Sequence, residues 1–378
     1  MKIVTIVGAR PQFIKASPLS NAIAAHNGIA ESRGRLDEVV IHTGQHYDRE
    51  MSAVFFQTLE LAAPKYNLGV GSGSHGTQLA KMIERLEEIL QKEAPDLVLV
   101  YGDTNSTLAG ALMADRLNIP VAHVEAGLRS FNRRMAEECN RIVADHLSTL
   151  LFAPTKTAVQ NLEREGIDEG VYQVGDVMHE AAMFHSKTAE LESTVLQRLA
   201  LTREGYSLAT VHRAENTDDP IRLQGILEGL IDVSRSQTIV WPVHPRTRKH
   251  LLSKREENLP LDRLLLTDPV PYRDMLLLEK STNVILTDSG GVQKEAMWFG
   301  VPCVTLRDET EWVETVTSGR NELAGCRREM IGAAFDAALL KGRLPIQATE
   351  NGMHPSALIV QHLCAFEGSK PKPLVSWA

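Results

Sequence analysis

The chain contains no C-x-x-C pair. Its four cysteines, Cys139, Cys303, Cys326 and Cys364, lie far apart, which argues against a zinc-ribbon spacing or a disulfide framework and fits a reduced, cytoplasmic compartment. There is no excess of basic residues either, because 40 Lys and Arg stand against 48 Asp and Glu, a formal net charge of -8. Nucleic acid and anionic membrane are therefore not expected partners, and any anionic ligand must be held by local groups. No apolar run approaches the roughly 18 to 20 residues of a membrane span. The run from Ile3 to Val7 is too short for the apolar region of a signal peptide and reads as a first strand. Histidine spacings of the H-E-x-x-H or H-x-H kind are missing, so no metal is expected.

With 378 residues, 43% apolar and 23% charged, the composition fits a globular protein of two domains. Short β-rich runs alternate with longer amphipathic stretches, the pattern of an α/β fold with parallel sheets and crossover helices. A first series of strands is read at Lys2 to Val7, Glu38 to His42, Asp96 to Tyr101, Val121 to Glu125, Thr149 to Phe152 and Val171 to Val174. Within it, Leu79, Met82, Ile83, Leu86, Ile89 and Leu90 recur at the spacing of one helix face. A second series is read at Ser207 to His212, Thr238 to Val243, Arg263 to Thr267, Val284 to Thr287 and Pro302 to Leu306. No low-complexity linker separates the two. The boundary is expected between residues 176 and 200, giving domains 1–178 and 179–354, and a final segment 355–378 whose helix, Pro355 to Phe366, can pack on either.

Six polar clusters each follow an expected strand at once: Gly8-Ala9-Arg10, Gly102-Asp103-Thr104, Glu125-Ala126-Gly127, His212-Arg213, His244-Pro245-Arg246 and Asp288-Ser289-Gly290-Gly291. Doubly wound sheets bind ligands beyond the carboxyl ends of their strands, so two such sheets facing each other would gather all six around one crevice.

Asp288-Ser289-Gly290-Gly291 opens a helix whose free backbone N–H groups make an anion site, and its glycines let a phosphate approach. The same residues would serve a plain N-cap and tight turn. Glu295, one turn on, can accept both hydroxyls of a ribose or lie solvated on the helix. Arg10 can clamp a diphosphate through paired donors, with Lys15 one turn further, although cations are also common on a first helix. The loop from Gly8 to Lys15 is not G-x-G-x-x-G, and no cofactor is expected. Asp103, Glu125 and Glu137 form the candidate acid/base set. Asp103 and Glu125 end strands in apolar surroundings, where desolvation and mutual repulsion would raise at least one pKa. An Asp before Thr104 also reads as a helix cap, and Glu137-Glu138 as charge balancing at a helix start. His212 and His244, each followed closely by an arginine, Arg213 or Arg246, can orient a phosphate or sugar hydroxyl or serve the structure.

Together these clusters resemble the non-hydrolysing UDP-N-acetylglucosamine 2-epimerases, enzymes of the two-domain GT-B fold. The markers run from Gly8-Ala9-Arg10-Pro11-Gln12-Phe13-Ile14-Lys15 through Gly102-Asp103-Thr104, His123-Val124-Glu125-Ala126-Gly127-Leu128-Arg129 and Glu137-Glu138-Cys139-Asn140-Arg141. They continue with His212-Arg213-Ala214-Glu215-Asn216, Pro242-Val243-His244-Pro245 and Thr287-Asp288-Ser289-Gly290-Gly291-Val292-Gln293-Lys294-Glu295-Ala296. The resemblance implies an isomerase acting on a UDP-N-acetylhexosamine, with Asp103, Glu125 and Glu137 as catalytic carboxylates and Lys15 and His212 close to the sugar. It puts Arg10, Ser289 and Gly290 on the diphosphate, with His244 and Gly291 in the same UDP site. Glu295 takes the ribose, Tyr272 lies near the uracil, and Gln45, His46, Arg141 and Arg213 lie near the substrate. It also implies a homodimer.

Two departures stand out. Ala136-Glu137-Glu138 replaces the usual Pro-Glu-Glu, which removes the rigid residue that places Glu137. The segment from Gln45 to Met51 differs from the Gln-His-Arg-Glu-Met form associated with substrate activation, so allosteric activation is not expected. Arg129 to Arg134 and Val211 to Thr217 also resemble relatives that epimerise a UDP-2,3-diacetamido glucuronate, which leaves the sugar open. A GT-B glycosyltransferase would use the same Ser-Gly-Gly helix start.

Overall fold

Most apolar runs of the first series become strands buried on both faces, as a parallel sheet covered by helices requires. The computed structural model describes residues 1–29, 34–45, 61, 63–244, 247–251, 260–345 and 354–368. In it β1 (Lys2–Val7), β2 (Asp37–His42), β3 (Tyr66–Asn67), β4 (Leu97–Tyr101), β5 (Val121–Val124), β6 (Leu150–Ala153) and β7 (Val171–Gln173) form a seven-stranded sheet. Its order is β3-β2-β1-β4-β5-β6-β7, and every pairing is parallel. All five residues of β4 are buried. Beside this sheet the helix His75–Glu93 buries Met82, Leu86 and Leu90, four residues apart on one face. Ser74 caps it by accepting the Thr77 N–H, and Ala94 ends it with a left-handed φ of 42°.

The second series forms β8 (Ser207–Thr210), β9 (Ile239–Pro242), β10 (Leu264–Thr267), β11 (Ile285–Thr287), β12 (Cys303–Thr305) and β13 (Asn321–Leu323). These make a six-stranded parallel sheet ordered β10-β9-β8-β11-β12-β13. Trp241, Leu286 and Val304 pack there against Leu227 and Leu230 of the helix Pro220–Val233 and Phe335 of the helix Arg328–Lys341. Full burial of each such side chain stabilises by roughly 1.5–3 kcal/mol.

The two sheets belong to separate compact units, Met1–Ala181 with Asn351–Ala378, and Ala182–Glu350, and the division falls inside the helix Val177–Glu192. Two doubly wound parallel α/β units define the GT-B architecture. The helix Pro355–Ala365 lies in the first unit against Arg10–Gly28. There Ser356 donates its N–H and hydroxyl to Glu180 at 2.9 and 2.7 Å, and the His362 ring lies 3.9 Å from that of Tyr172. Among the described residues no helix is long and apolar enough to cross a membrane.

Five strands, β5, β7, β8, β9 and β12, end earlier than their apolar runs imply, and for β5 and β8 a local reason is plain. β5 stops at Val124 because Glu125 turns to a left-handed φ of 74°. β8 stops at Thr210 because the His212 and Arg213 N–H groups leave the ladder for the Asp288 carboxylate, at 3.0 and 2.9 Å.

Candidate active site

Each sheet reverses its winding at one place, between β1 and β4 in the first unit and between β8 and β11 in the second. The carboxyl ends of those four strands deliver Gly8-Ala9-Arg10, Gly102-Asp103, His212-Arg213 and Asp288-Ser289. Crevices of doubly wound sheets open at such switch points.

In the first unit, Gln12 ties the two strand ends together. Its Oε1 accepts the Gly8 and Ala9 N–H groups at 2.8 and 3.1 Å, and its Nε2 donates to the Tyr101 carbonyl at 2.8 Å. Gly8 has no room for a side chain, since a Cβ there would lie 2.0 Å from Ser106 Oγ. Gln45 Oε1 accepts from the Ser106 hydroxyl at 2.7 Å. Arg10 is the first residue of the helix Arg10–Gly28 and is half-buried. One turn along, Lys15 is ion-paired with Glu125.

Asp103 is not the helix cap that its position allows. Thr104 caps Asn105–Arg116 by accepting the Thr107 N–H, and the Asp103 carboxylate pairs with Arg141 instead. Since β4 and β5 are neighbours in register, Asp103 and Glu125 follow adjoining strands, and each carboxylate meets a cation. Gly102, φ 61°, is squeezed between them; a Cβ there would lie 3.1 Å from both Glu125 Oε2 and Lys15 Nζ. Arg141 is buried, which disfavours its charge, yet Asp103, Glu138 and Glu125 outweigh that and hold its pKa above the ordinary value.

The two glutamates at the start of the helix Ala136–Leu147 have different surroundings. Glu137 is exposed and takes no part in this network. Glu138 is buried; its carboxylate accepts from the Ser130 N–H and hydroxyl at 2.9 Å, the Phe131 N–H at 2.8 Å and Arg141 at 3.1 Å. The sequence offers one sign of this, because Glu138, Arg141 and Asp145 recur at the three-and-four spacing of a buried face. His46 and Arg246 lie outside the described residues.

In the second unit, Asp288 binds backbone rather than capping the helix Gly290–Trp298. Besides His212 and Arg213 it accepts from Asn216 Nδ2 at 3.2 Å. Ser289 occupies the N-cap position without a side-chain cap bond, and a helix start of that kind is able to accept an anion. Gly290 is buried against Glu311 and Trp312, whose Oε1 and Nε1 would lie 2.5 and 2.9 Å from a Cβ, whereas Gly291 has room. The His212 and His244 rings lie 5.9 Å apart. Glu295 is buried and accepts from the Tyr272 hydroxyl at 3.1 Å. His185, also buried, meets the Tyr272 ring edge-on at 6.0 Å, and burial pulls its pKa down to about 4, so it is neutral.

Sequence reasoning missed a charged chain behind this helix start. Arg213 donates to Glu311 at 3.1 Å, and Arg307 bridges Glu311 and Glu215 at 2.8 and 3.2 Å. Burial raises the Glu311 pKa, but Arg307 and Arg213 overcome it and keep the carboxyl below its ordinary value. Arg307 and Glu311 are four residues apart in sequence, but no motif spacing joins them to Arg213 and Glu215, which come from beyond the end of β8.

The chain is thus a two-unit α/β protein with a cluster of paired carboxylates and cations at the switch point of one sheet and a glycine-rich helix start at that of the other. The family model described as UDP-N-acetylglucosamine 2-epimerase matches residues 29–355, and the chain belongs to that family of epimerases. It is 54% identical over 334 residues to a UDP-N-acetylglucosamine 2-epimerase homolog of Methanococcus maripaludis, covering 88% of this chain and 90% of that one. With the UDP-2,3-diacetamido-2,3-dideoxy-D-glucuronate 2-epimerase of Pseudomonas aeruginosa it shares 49% identity over 336 residues, again 88% and 90% of the two chains. Among solved structures, UDP-GlcNAc 2-epimerase of Methanocaldococcus jannaschii in complex with UDP-GlcNAc and UDP matches with a TM-score of 0.86 at 43% identity, covering 97% of this chain and 100% of that one.

Proposed function

We propose that this chain interconverts UDP-N-acetylglucosamine and UDP-N-acetylmannosamine by eliminating UDP and adding it back through a 2-acetamidoglucal. The observation that carries the reading is the pair of carboxylates, Asp103 and Glu125, on adjoining strand ends, each against its own cation. C2 of the sugar has no neighbouring carbonyl, so its proton is not acidic enough for direct abstraction. Elimination avoids that difficulty. The C2–H bond breaks as a carboxylate takes the proton, and the C1–O bond breaks with its electron pair leaving on UDP. Protonation of C2 from the other face and re-addition of UDP at C1 reverse both events, so no oxidant is consumed.

The proton carriers in this scheme are Asp103, Glu125 and Glu137, with Lys15, His212, Gln45, His46, Arg141 and Arg213 around the sugar. Arg10, His244, Ser289, Gly290 and Gly291 hold the diphosphate, Glu295 the ribose and Tyr272 the uracil. General base action contributes about 100- to 10,000-fold, and donors that stabilise the departing diphosphate add a comparable or larger factor. The active species in this reading is a homodimer, which light scattering tests.

A second reading keeps the chemistry and changes the sugar to UDP-2,3-diacetamido-2,3-dideoxy-glucuronate, favoured by the 49% identity to the Pseudomonas aeruginosa relative. The deciding experiment incubates the protein with each UDP-sugar, without any acceptor, and follows C1 and C2 by proton NMR. Appearance of UDP-N-acetylmannosamine supports the first reading. Turnover of the glucuronate alone supports the second, and turnover of neither sinks both.

A further inference from the structure

Beneath the two carboxylates lies a buried chain of ionisable groups that the scheme above does not use. His123 projects from β5 and is fully buried, with Asp145, from Ala136–Leu147, buried beside it. The His123 Nε2 lies 2.7 Å from the Gly102 carbonyl and its Nδ1 lies 2.7 Å from Asp145 Oδ1. A carbonyl and a carboxylate only accept, so each ring nitrogen must carry a proton and the ring is an imidazolium. The other oxygen of Asp145 accepts the Gly127 N–H at 3.1 Å and Arg129 Nη1 at 2.7 Å. Arg129 in turn forks onto Glu165 at 2.7 and 2.8 Å. The charges alternate from His123 to Glu165 and cancel, which is what makes so much buried charge tolerable. Burial alone would raise the Asp145 pKa, yet His123 and Arg129 hold it below its ordinary value.

The backbone atoms held by this chain are the informative part. The Gly102 carbonyl belongs to the peptide that carries Asp103, and the Gly102 N–H is bound from the other side by the Val124 carbonyl at 3.0 Å. Gly127 follows Glu125 by two residues, within a turn where both have positive φ, 74° and 81°. Left-handed backbone at a residue other than glycine is strained and persists only where its surroundings enforce it. One charged pair therefore grips the backbone under both carboxylates.

We propose that His123 and Asp145 are positioning residues for the reaction: a buried imidazolium–carboxylate pair that fixes the backbone under Asp103 and Glu125 without touching substrate. The proposal rests on the epimerase reading for its kinetic part and on hydrogen-bond chemistry for the rest. A group that only aims the proton carriers affects kcat, whereas UDP affinity depends on other residues.

Two amide variants separate the two contacts. His123→Gln places an amide N–H near the position of Nε2 and keeps a donor for Gly102; His123→Asn places one near Nδ1 and keeps the donor for Asp145. The Gln variant is expected to retain kcat to within about tenfold, while the Asn variant loses at least about 100-fold with KM changed less than about threefold. Equal kcat values for the two, or losses that track thermal stability alone, overturn the role. If neither variant folds, long-range 15N–1H NMR of the wild-type protein at neutral pH decides, because the proposal requires both nitrogens of His123 to be protonated and a neutral tautomer refutes it. Wild-type protein that turns over no UDP-sugar defeats the epimerase reading instead, and the NMR signature still tests the pair.

Discussion

Lys15 and Glu125, 110 residues apart in sequence, form an ion pair at the end of β5, where Glu125 takes a left-handed φ of 74°. That conformation turns the carboxylate out of the strand and towards Gly102, beside which Asp103 meets Arg141. Strain at such a position points to function when the surroundings impose it, as the Lys15 contact and the bonds around Gly127 do here.

Replacing either carboxylate by its amide keeps shape and removes a proposed proton carrier. Glu125→Gln and Asp103→Asn are each expected to lower kcat for epimerisation by at least about 100-fold. Circular dichroism and UDP affinity should stay near wild type. Unchanged turnover in either variant would remove that residue from the acid/base set.

Glu137 and Glu138 should behave in opposite ways. Glu137 is exposed, so Glu137→Gln leaves thermal stability unchanged; in its proposed role as a proton carrier its loss lowers turnover by at least about 100-fold. Glu138→Gln instead puts an amide where Ser130, Phe131 and Arg141 all donate, at an expected cost of about 1.5–3 kcal/mol in chemical denaturation. Near-wild-type turnover in the Glu137 variant would return that residue to balancing charge at its helix start.

This contrast marks the limit of what the sequence made legible. All strands but two were readable from their apolar runs, and the clusters after β1, β4, β5, β8, β9 and β11 from polar residues at strand ends. β3 and β13 were not, because Tyr66-Asn67 and Asn321-Glu322-Leu323 contain no apolar run. Asp288 looked like a cap and proved to be a tie between β8 and β11, because the hydrogen bonds of a carboxylate depend on strand order rather than on neighbours in sequence. His123 with Asp145, and Arg213 with Glu311, were out of reach for a related reason. Each gains its meaning from a buried partner or backbone group that only the folded sheet supplies.

Glu93 gives the fold a defined acid limit. Its carboxylate meets Lys2 and Lys65 at 2.7 and 2.8 Å and also the Tyr66 hydroxyl, and these hydrogen bonds pull its pKa from the ordinary 4.5 to about 2. A pKa lowered in the folded state stabilises the protein above the unfolded value, and that stabilisation fades as pH falls from 4.5 to about 2. Glu93→Gln should therefore be less stable at neutral pH and lose less on acidification across that window. Thermal unfolding in small pH steps measures the difference, and parallel curves for the two proteins would assign the acid limit elsewhere.

The chemistry itself is tested by isotope. Elimination hands the C2 proton to a protein carboxylate, and the inverted centre receives its hydrogen from a group on the opposite face that has exchanged with solvent. Turnover in D2O should therefore place deuterium at C2 of the epimerised UDP-sugar. Added NAD should change nothing, since in the proposed scheme both half-reactions are proton transfers coupled to loss or gain of UDP. A hydrolytic route would differ visibly by releasing free N-acetylmannosamine with an equal amount of UDP. A transient oxidation beside C2 would instead require a nicotinamide and make turnover respond to its addition. Product that retains protium at C2, formed at a robust rate, would leave the family membership intact and eliminate the scheme in which two carboxylates work from opposite faces.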